Sequence, residues 1–544
     1  KEEGGGETMR DIEEIIKEIG LGRDDYELYG RYMAKLDLGL QNRGRPRAKL
    51  ILVTAMTPTP AGEGKTTTTI GLGQAMKKLG KNVAIAIREP SLGPCFGIKG
   101  GATGGGKSKV EPSDRINLFF TGDFPAITAA HNLLSAMINN HMYHGNELNL
   151  DPKRITFPRT IDMNDRSLRS ILVGVGPRDM GVLAGDSFVI TPASEVMAIT
   201  GLSLNYQDLK ARLSRILAGF TTKNKPVFAG DLKAEGSMAA LLRDALKPNL
   251  VQTTEGVPAF VHTGPFGNIA HGTSSLVADK IALNLFDYVI TEAGFGSDLG
   301  AEKFFNLASR IGDLPINAVV LVATIRAIKH HGGSKKEGED IDAVKTGSKN
   351  LIRHVQNIRN FGIDPVVAVN RFPTDTDGEI RALGEILDSN GIKWALSEVF
   401  AKGGEGGIDL ANKVLASLGS HEIKRTYDLK DDIRTKIEKI ARNVYGADGV
   451  IFEKKALSDM KKAEEIMENP YVCMAKTQYS FSDDASLLND PHGFTIKVQS
   501  INISSGAGFV VPILGEIMTM PGLPKHPAAE NIDLTDSGEI TGLF

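Results

Sequence analysis

Apolar residues follow two patterns along this chain. One is the short, nearly unbroken run, at 49–56, 82–87, 225–229, 288–290, 318–324, 366–370 and 394–400. Runs of that length without polar alternation are expected of strands in a parallel sheet covered on both faces. The other is helical spacing: Ile12, Ile15, Ile16 and Ile19, then Leu72, Ala75, Met76 and Leu79, and later Val344, Leu351, Val355 and Ile358 each fall on one helix face. A further helix is expected around 129–142, a basic one over 433–444, and an alternating strand over 494–503. The segment 26–40, with Tyr29 and Lys35, is mixed and polar. Strand and helix alternate to about residue 330, which predicts an α/β fold built on a doubly wound, mainly parallel sheet.

The first run feeds the stretch Thr59-Pro60-Ala61-Gly62-Glu63-Gly64-Lys65-Thr66, and a helix pattern opens directly behind it. Glycines at 62 and 64 let backbone N–H groups turn toward an anion, Lys65 adds a positive charge, and the Thr66 hydroxyl is placed for a nucleotide-bound Mg²⁺. The helix would aim its positive end at the same phosphates. Thr59 stands where the general phosphate-loop pattern has glycine, but strand, glycine loop, Gly-Lys-Thr and helix come in the required order. The fold expected is therefore P-loop NTPase-like, and Thr59 through Thr66 are its nucleotide-binding residues.

The second run ends in Arg88-Glu89-Pro90-Ser91-Leu92-Gly93-Pro94. Ligands in parallel sheets gather at the carboxyl ends of the strands, so Arg88 and Glu89 should lie near the phosphate loop, where an arginine fork suits a transferring phosphoryl group or an acyl phosphate. A structural ion pair is the plainer role for Arg88. Glycine-dense loops follow at 97–107, 264–272 and 294–300, and the first is too costly in backbone entropy to be filler. His131, His141 and His144 lack metal-ligand spacing and read as ordinary core or surface histidines. Phe372 and Phe400 follow successive runs; aromatic faces so placed suit a flat heterocycle and equally suit plain packing.

At 544 residues the chain exceeds what one core supports. The polar stretch 330–338 marks a boundary, giving a nucleotide-binding domain over 1–335 and two smaller α/β domains over 336–440 and 441–544. A formal net charge of −3 disfavours nucleic-acid binding through gross charge. No apolar run approaches a membrane span. Two isolated cysteines, Cys95 and Cys473, exclude a disulfide framework and fit a reducing, cytoplasmic compartment. The glycine-rich start resembles no secretory signal and reads as a disordered leader or a cloning remnant.

Together the segments 57–68, 88–94, 264–272, 372–376 and 518–524 closely resemble formate–tetrahydrofolate ligase, and the resemblance runs from about residue 10 to Phe544. It implies ATP-dependent ligation of formate to tetrahydrofolate through a formyl phosphate, giving 10-formyltetrahydrofolate, ADP and phosphate. It also implies Mg²⁺, activation by a monovalent cation (K⁺ or NH₄⁺) and a homotetramer, to which the composition adds a cytoplasmic location and no nucleic-acid or membrane partner. By resemblance Lys65 and Arg88 are catalytic, holding the transferring phosphoryl and the formyl phosphate, while Phe372 and Phe400 flank the pterin with Glu89 nearby. The chain departs from the family pattern in having Phe400 for a tryptophan, Lys107 for a tyrosine, and Phe119 and Phe124-Pro125 where histidines are common. A modified pterin carrier or another small carboxylate stand as alternatives. A nucleotide-switch ATPase shares the loop, but that class usually has a second lysine where this chain has Pro60.

Overall fold

In the computed structural model, which describes residues 9–44, 48–99, 102–266, 269–515 and 517–543, most of the unbroken runs assemble into one sheet. Its strands are β1 (Tyr26–Leu28), β2 (Ala34–Leu36), β3 (Lys49–Ala55), β4 (Val83–Ile87), β5 (Gly104–Gly105), β6 (Ser108–Glu111), β7 (Asn249–Thr253), β8 (Pro258–Val261), β9 (Tyr288–Glu292), β10 (Ala318–Ala323), β11 (Val366–Asn370) and β12 (Trp394–Ser397). In space they run β1-β2-β7-β8-β4-β9-β3-β10-β11-β12, with β6 and then β5 branching from β7. Every pairing from β8 to β12 is parallel. The strands β1, β2, β6 and β7 pair antiparallel and extend one edge. The protein is thus a mixed α/β fold around a large, mainly parallel sheet.

The packing explains why these runs lack polar alternation. Along β3, Leu50 and Leu52 enter one apolar core, while Ile51, Val53 and Ala55 enter another on the opposite face. Along β4, Ala84 and Ala86 divide from Val83, Ile85 and Ile87 in the same way. With both faces covered, either parity must be apolar.

Some expectations are corrected. The strand within 225–229 is Pro226–Phe228, but it pairs antiparallel with Leu217–Thr221, which in turn pairs with Leu150–Ile155 in a separate sheet. A tight turn through Asn224, at φ 64°, makes it a local hairpin arm rather than a member of the parallel array. The polar segment 26–40 contains β1 and β2, and the polarity misleads because Lys35 is buried against Asp123. The strand expected over 494–503 breaks into Thr495–Val498 and Ser500–Ser504, which join different sheets. The run 394–400 stops as a strand at Ser397, and Phe400 sits in the helical turn Val399–Lys402. The basic helix spans Ile433–Ile440 and continues as a wider turn through Ala441–Tyr445.

The sheet runs across residue 335, since β10 and β11 pair directly. Residues 1–8, Gly100, Gly101, Gly267 and Asn268 of the expected leader and loops lie outside the described residues. Among the described residues no helix is long and apolar enough to cross a membrane.

Candidate active site

The chain leaves β3 through residues 56–64 and enters helix α1 (Lys65–Lys78) before reaching β4. β4 lies to one side of β3 beyond β9, and β10 lies on the other side. The carboxyl ends of parallel strands diverge at such a place and leave a crevice for a ligand. Gly64 caps α1 at φ 69°, a left-handed conformation that favours glycine, so the chain can turn abruptly into the helix.

The loop is braced from inside. Glu63 is 4% exposed, and its carboxylate accepts the Thr59 N–H at 2.7 Å, the Thr59 hydroxyl at 2.9 Å and the Thr324 hydroxyl from just beyond β10. Asn370, at the end of β11, donates to the Glu63 carbonyl at 3.1 Å, and Arg326 donates to the Gly62 carbonyl. Thr59 thus anchors the loop where the general pattern has glycine. The Glu63 side chain faces inward, while Pro60 and Ala61 lie exposed at the tip.

Around this loop stand two cations and an acid. Lys65 Nζ donates to the Phe295 carbonyl at 3.1 Å. The Thr66 hydroxyl lies 3.0 and 3.2 Å from the two carboxylate oxygens of Glu292, which ends β9 and is 7% exposed. Arg88 Nε and Nη2 are shut off from solvent and meet no acceptor. Burial lowers the Arg88 pKa, opposed by the charge of Glu292. A side chain at position 294 would strike this guanidinium at 2.6 Å, so Gly294 is what lets it lie against the backbone there. The loop bearing Phe295 is tied down farther along, where buried Lys476 pairs with Asp298 at 2.7 Å.

Glu89 lies on another set of neighbours. It is 4% exposed, its Oε2 has no protein partner, and burial together with the adjacent Asp123 carboxylate pushes its pKa well above the usual range, with Lys35 opposing. Lys35 and Asp123 form a buried pair at 2.6 Å, and Asn249 donates to the other Asp123 oxygen at 2.7 Å.

The two phenylalanines reach the loop through different intermediaries. The Arg326 guanidinium lies 4.7 Å from the centre of the Phe372 ring, so one arginine joins that ring to the Gly62 carbonyl. Phe400 is 51% exposed and packs over the β5 hairpin, where a side chain at Gly105 would meet the ring at 3.0 Å and Thr67 Oγ1 at 3.7 Å. The Phe400 carbonyl accepts the Lys107 N–H at 2.9 Å. The glycine-rich loop thus reaches beneath Phe400 beside the first turn of α1. Of the departing positions, Phe119 is 65% exposed whereas Phe124 is buried.

Sequence reasoning missed Glu292, Arg326, Thr324 and Asn370 as parts of this site. Each ends or follows a recognisable strand, so strand-end polar residues were the available signal; which strands neighbour β3 was not.

A family model described as formate–tetrahydrofolate ligase matches residues 4–544. A relative of that name from Thermoplasma volcanium is 85% identical over 536 residues, covering 98% of this chain and 100% of the relative. One from Picrophilus torridus is 60% identical over 537 residues, with 98% and 100% covered. One from Symbiobacterium thermophilum is 55% identical over 544 residues, with 98% of each covered.

Proposed function

The chain belongs to the formate–tetrahydrofolate ligase family, and from that premise we propose how its own residues join formate to tetrahydrofolate. The observation that carries the reading is Arg88, whose unpaired, solvent-shielded donors stand beside the acidic end of β9 and close to a braced phosphate loop. A guanidinium left without acceptors in the protein suits an anion that arrives with the substrate.

Formate is a poor acyl donor because its leaving group would be oxide. In the proposed sequence a formate oxygen attacks the γ-phosphorus of ATP; the new O–P bond forms as the bond to the β-phosphate oxygen breaks, releasing ADP and leaving formyl phosphate. The N10 amine of tetrahydrofolate then attacks the formyl carbon. A C–N bond forms, the C–O bond to phosphate breaks, and the amine loses its proton, giving 10-formyltetrahydrofolate. Lys65 and Arg88 offset charge on the transferring group, and the loop amides at the opening of α1 hold the phosphates in a P-loop-like arrangement. Positioning and electrostatics carry the reaction without a covalent protein nucleophile.

Thr66 and Glu292 would hold Mg²⁺. A hydroxyl and a carboxylate already 3.0 Å apart suit a hard cation that usually takes one or two protein oxygens and completes its shell with phosphate and water. Bound there, the ion would neutralise phosphate charge. Activation by a monovalent cation belongs to the same reading, without an assigned place. Phe372 and Phe400 would receive the pterin between the Arg326 side and the glycine hairpin, while Glu89, which sits with Asp123 and Lys35 instead of either ring, is assigned to the same substrate by the family resemblance alone. Self-association is supported by the hairpin Ile171–Val173/Ala184–Asp186, which with its loop exposes Leu172, Val175, Met180 and Leu183 to 57–70%; the tetramer and the cytoplasmic location belong to the same reading.

The purified enzyme is expected to release ADP only when both formate and a reduced folate are present in steady state. ADP release indifferent to formate would overturn the reading, and a comparison of tetrahydrofolate with other reduced pterins tests the carrier. Phe400→Ala is expected to raise the tetrahydrofolate KM by about tenfold, the loss of one stacked face at roughly 1–1.5 kcal/mol, with the ATP KM unchanged. An unaltered folate KM would remove Phe400 from the pterin site.

A further inference from the structure

Thr57 is the second residue after β3, in the bend that leads into the phosphate loop. It is 1% exposed, and its polar atoms are held by two further helices, α2 (Ile325–His331) and α3 (Ile341–Asn360). Its N–H donates to His354 Nε2 at 2.8 Å, and its hydroxyl lies 2.8 Å from the same nitrogen and accepts from Asn350 Nδ2 at 3.0 Å. Its carbonyl lies 3.2 Å from His331 Nε2.

The tautomers follow from what a backbone N–H can do, which is only donate. Because the Thr57 N–H donates to His354 Nε2, that nitrogen is unprotonated, and the hydrogen sits on Nδ1, which donates to Ser297 Oγ at 2.7 Å. Because the Asn489 N–H donates to His331 Nδ1 at 3.1 Å, the hydrogen of His331 sits on Nε2 and points at the Thr57 carbonyl. Both rings are neutral and fully committed. Phe481, buried, packs on the His354 ring at 4.5 Å between centres.

Ser297 lies two residues beyond Phe295, whose carbonyl receives Lys65 Nζ. One imidazole therefore spans the two segments between which Lys65 reaches: the entry of the phosphate loop and the loop that receives its ammonium group. We propose that His354 is a positioning residue for phosphoryl transfer, setting Thr57 and Ser297 at a fixed separation and so fixing where Lys65 meets the γ-phosphate, with His331 holding the Thr57 carbonyl. The inference rests on the ATP-dependent reading above, and it adds a role to residues that touch neither ATP nor folate.

Two near-isosteres separate the two bonds. Gln places a polar atom near Nε2 and can keep the Thr57 contact, whereas Asn places one near Nδ1 and can keep the Ser297 contact. His354→Gln and His354→Asn are each expected to lower kcat on the order of 10²-fold, the usual result of a misplacement of about 1 Å. The tetrahydrofolate KM should stay within twofold, and ADP affinity, measured by calorimetry, within tenfold. A merely structural histidine would lower melting temperature and folded fraction and leave kcat per folded molecule intact; that result, or unchanged kcat in both variants, overturns the proposal.

If either histidine variant fails to fold, Ser297→Ala decides, because it removes only the acceptor of Nδ1–H. A kcat loss of tenfold or more at unchanged folate KM supports the strut, and an unchanged kcat overturns it. Failure of the underlying ATP reading is distinct, since the parent enzyme would then show no formate-dependent ADP release.

Discussion

Arg88→Met is expected to lower formate-dependent turnover by about 10³-fold, the size seen when a donor aimed at developing charge is removed, while melting temperature holds steady or rises. The two halves of that expectation have one cause. Arg88 Nε and Nη2 are dehydrated without acceptors, and the desolvation that lowers the pKa of the group is a cost the folded protein bears. Methionine fills similar length without charge and relieves that cost. A residue kept at the expense of stability is one whose partner arrives with the reaction. Arg88→Lys should recover only part of the activity, since a point charge cannot reproduce two parallel N–H bonds. The checks are initial-rate assays of ADP release beside thermal melts of the same preparations. Should Arg88→Met retain turnover within tenfold, or should the loss follow a fall in melting temperature, Arg88 would be the plain structural cation that its sequence context also allowed.

How far the chain could be read in advance depended on whether a property was local. The β3–loop–α1 unit was legible because its signals are consecutive: an apolar run, glycines at two loop positions, Gly-Lys-Thr, then a helix pattern. β9, β10 and β11 were legible for the same reason. β7 was not, because its Asn249 and Gln252 are buried polar residues whose partners lie elsewhere: Asn249 Nδ2 bonds Asp123, and Gln252 Nε2 bonds the Arg10 carbonyl. Lys35 misled in the same way, since only the fold reveals that a buried Asp123 awaits it. The site shows the same division. Glu292 was visible as the last residue of a strand, yet its meaning comes from β9 inserting beside β3 rather than next to its sequence neighbours, which places its carboxylate on the Thr66 hydroxyl. Arg326 and Asn370 gain their roles from β10 and β11 lying on the other flank of the loop.

That flanking arrangement makes Lys65 the second residue whose loss should be large. Its helix start is fixed by Gly64, its loop by Glu63, Asn370 and Arg326, and its ammonium is received by the Phe295 carbonyl, in a loop that Asp298–Lys476 ties to the C-terminal part of the chain. Removing the ammonium should leave this frame standing. Lys65→Ala is therefore expected to fold with a melting temperature near that of the parent and to lose turnover by about 10³-fold or more, the loss appearing in kcat as a missing transition-state charge rather than chiefly in the ATP KM. Lys65→Arg tests whether charge alone suffices: the broader, planar group meets the same carbonyl from a different distance, so it should restore less than a tenth of the rate. A single-turnover measurement with ATP and formate separates the steps. If Lys65 acts on phosphoryl transfer, the variant forms ADP slowly even before folate is added. If ADP forms at the parent rate and only the transfer to folate is slow, Lys65 serves the second half-reaction, and the placement of the γ-phosphate at the opening of α1 must be abandoned.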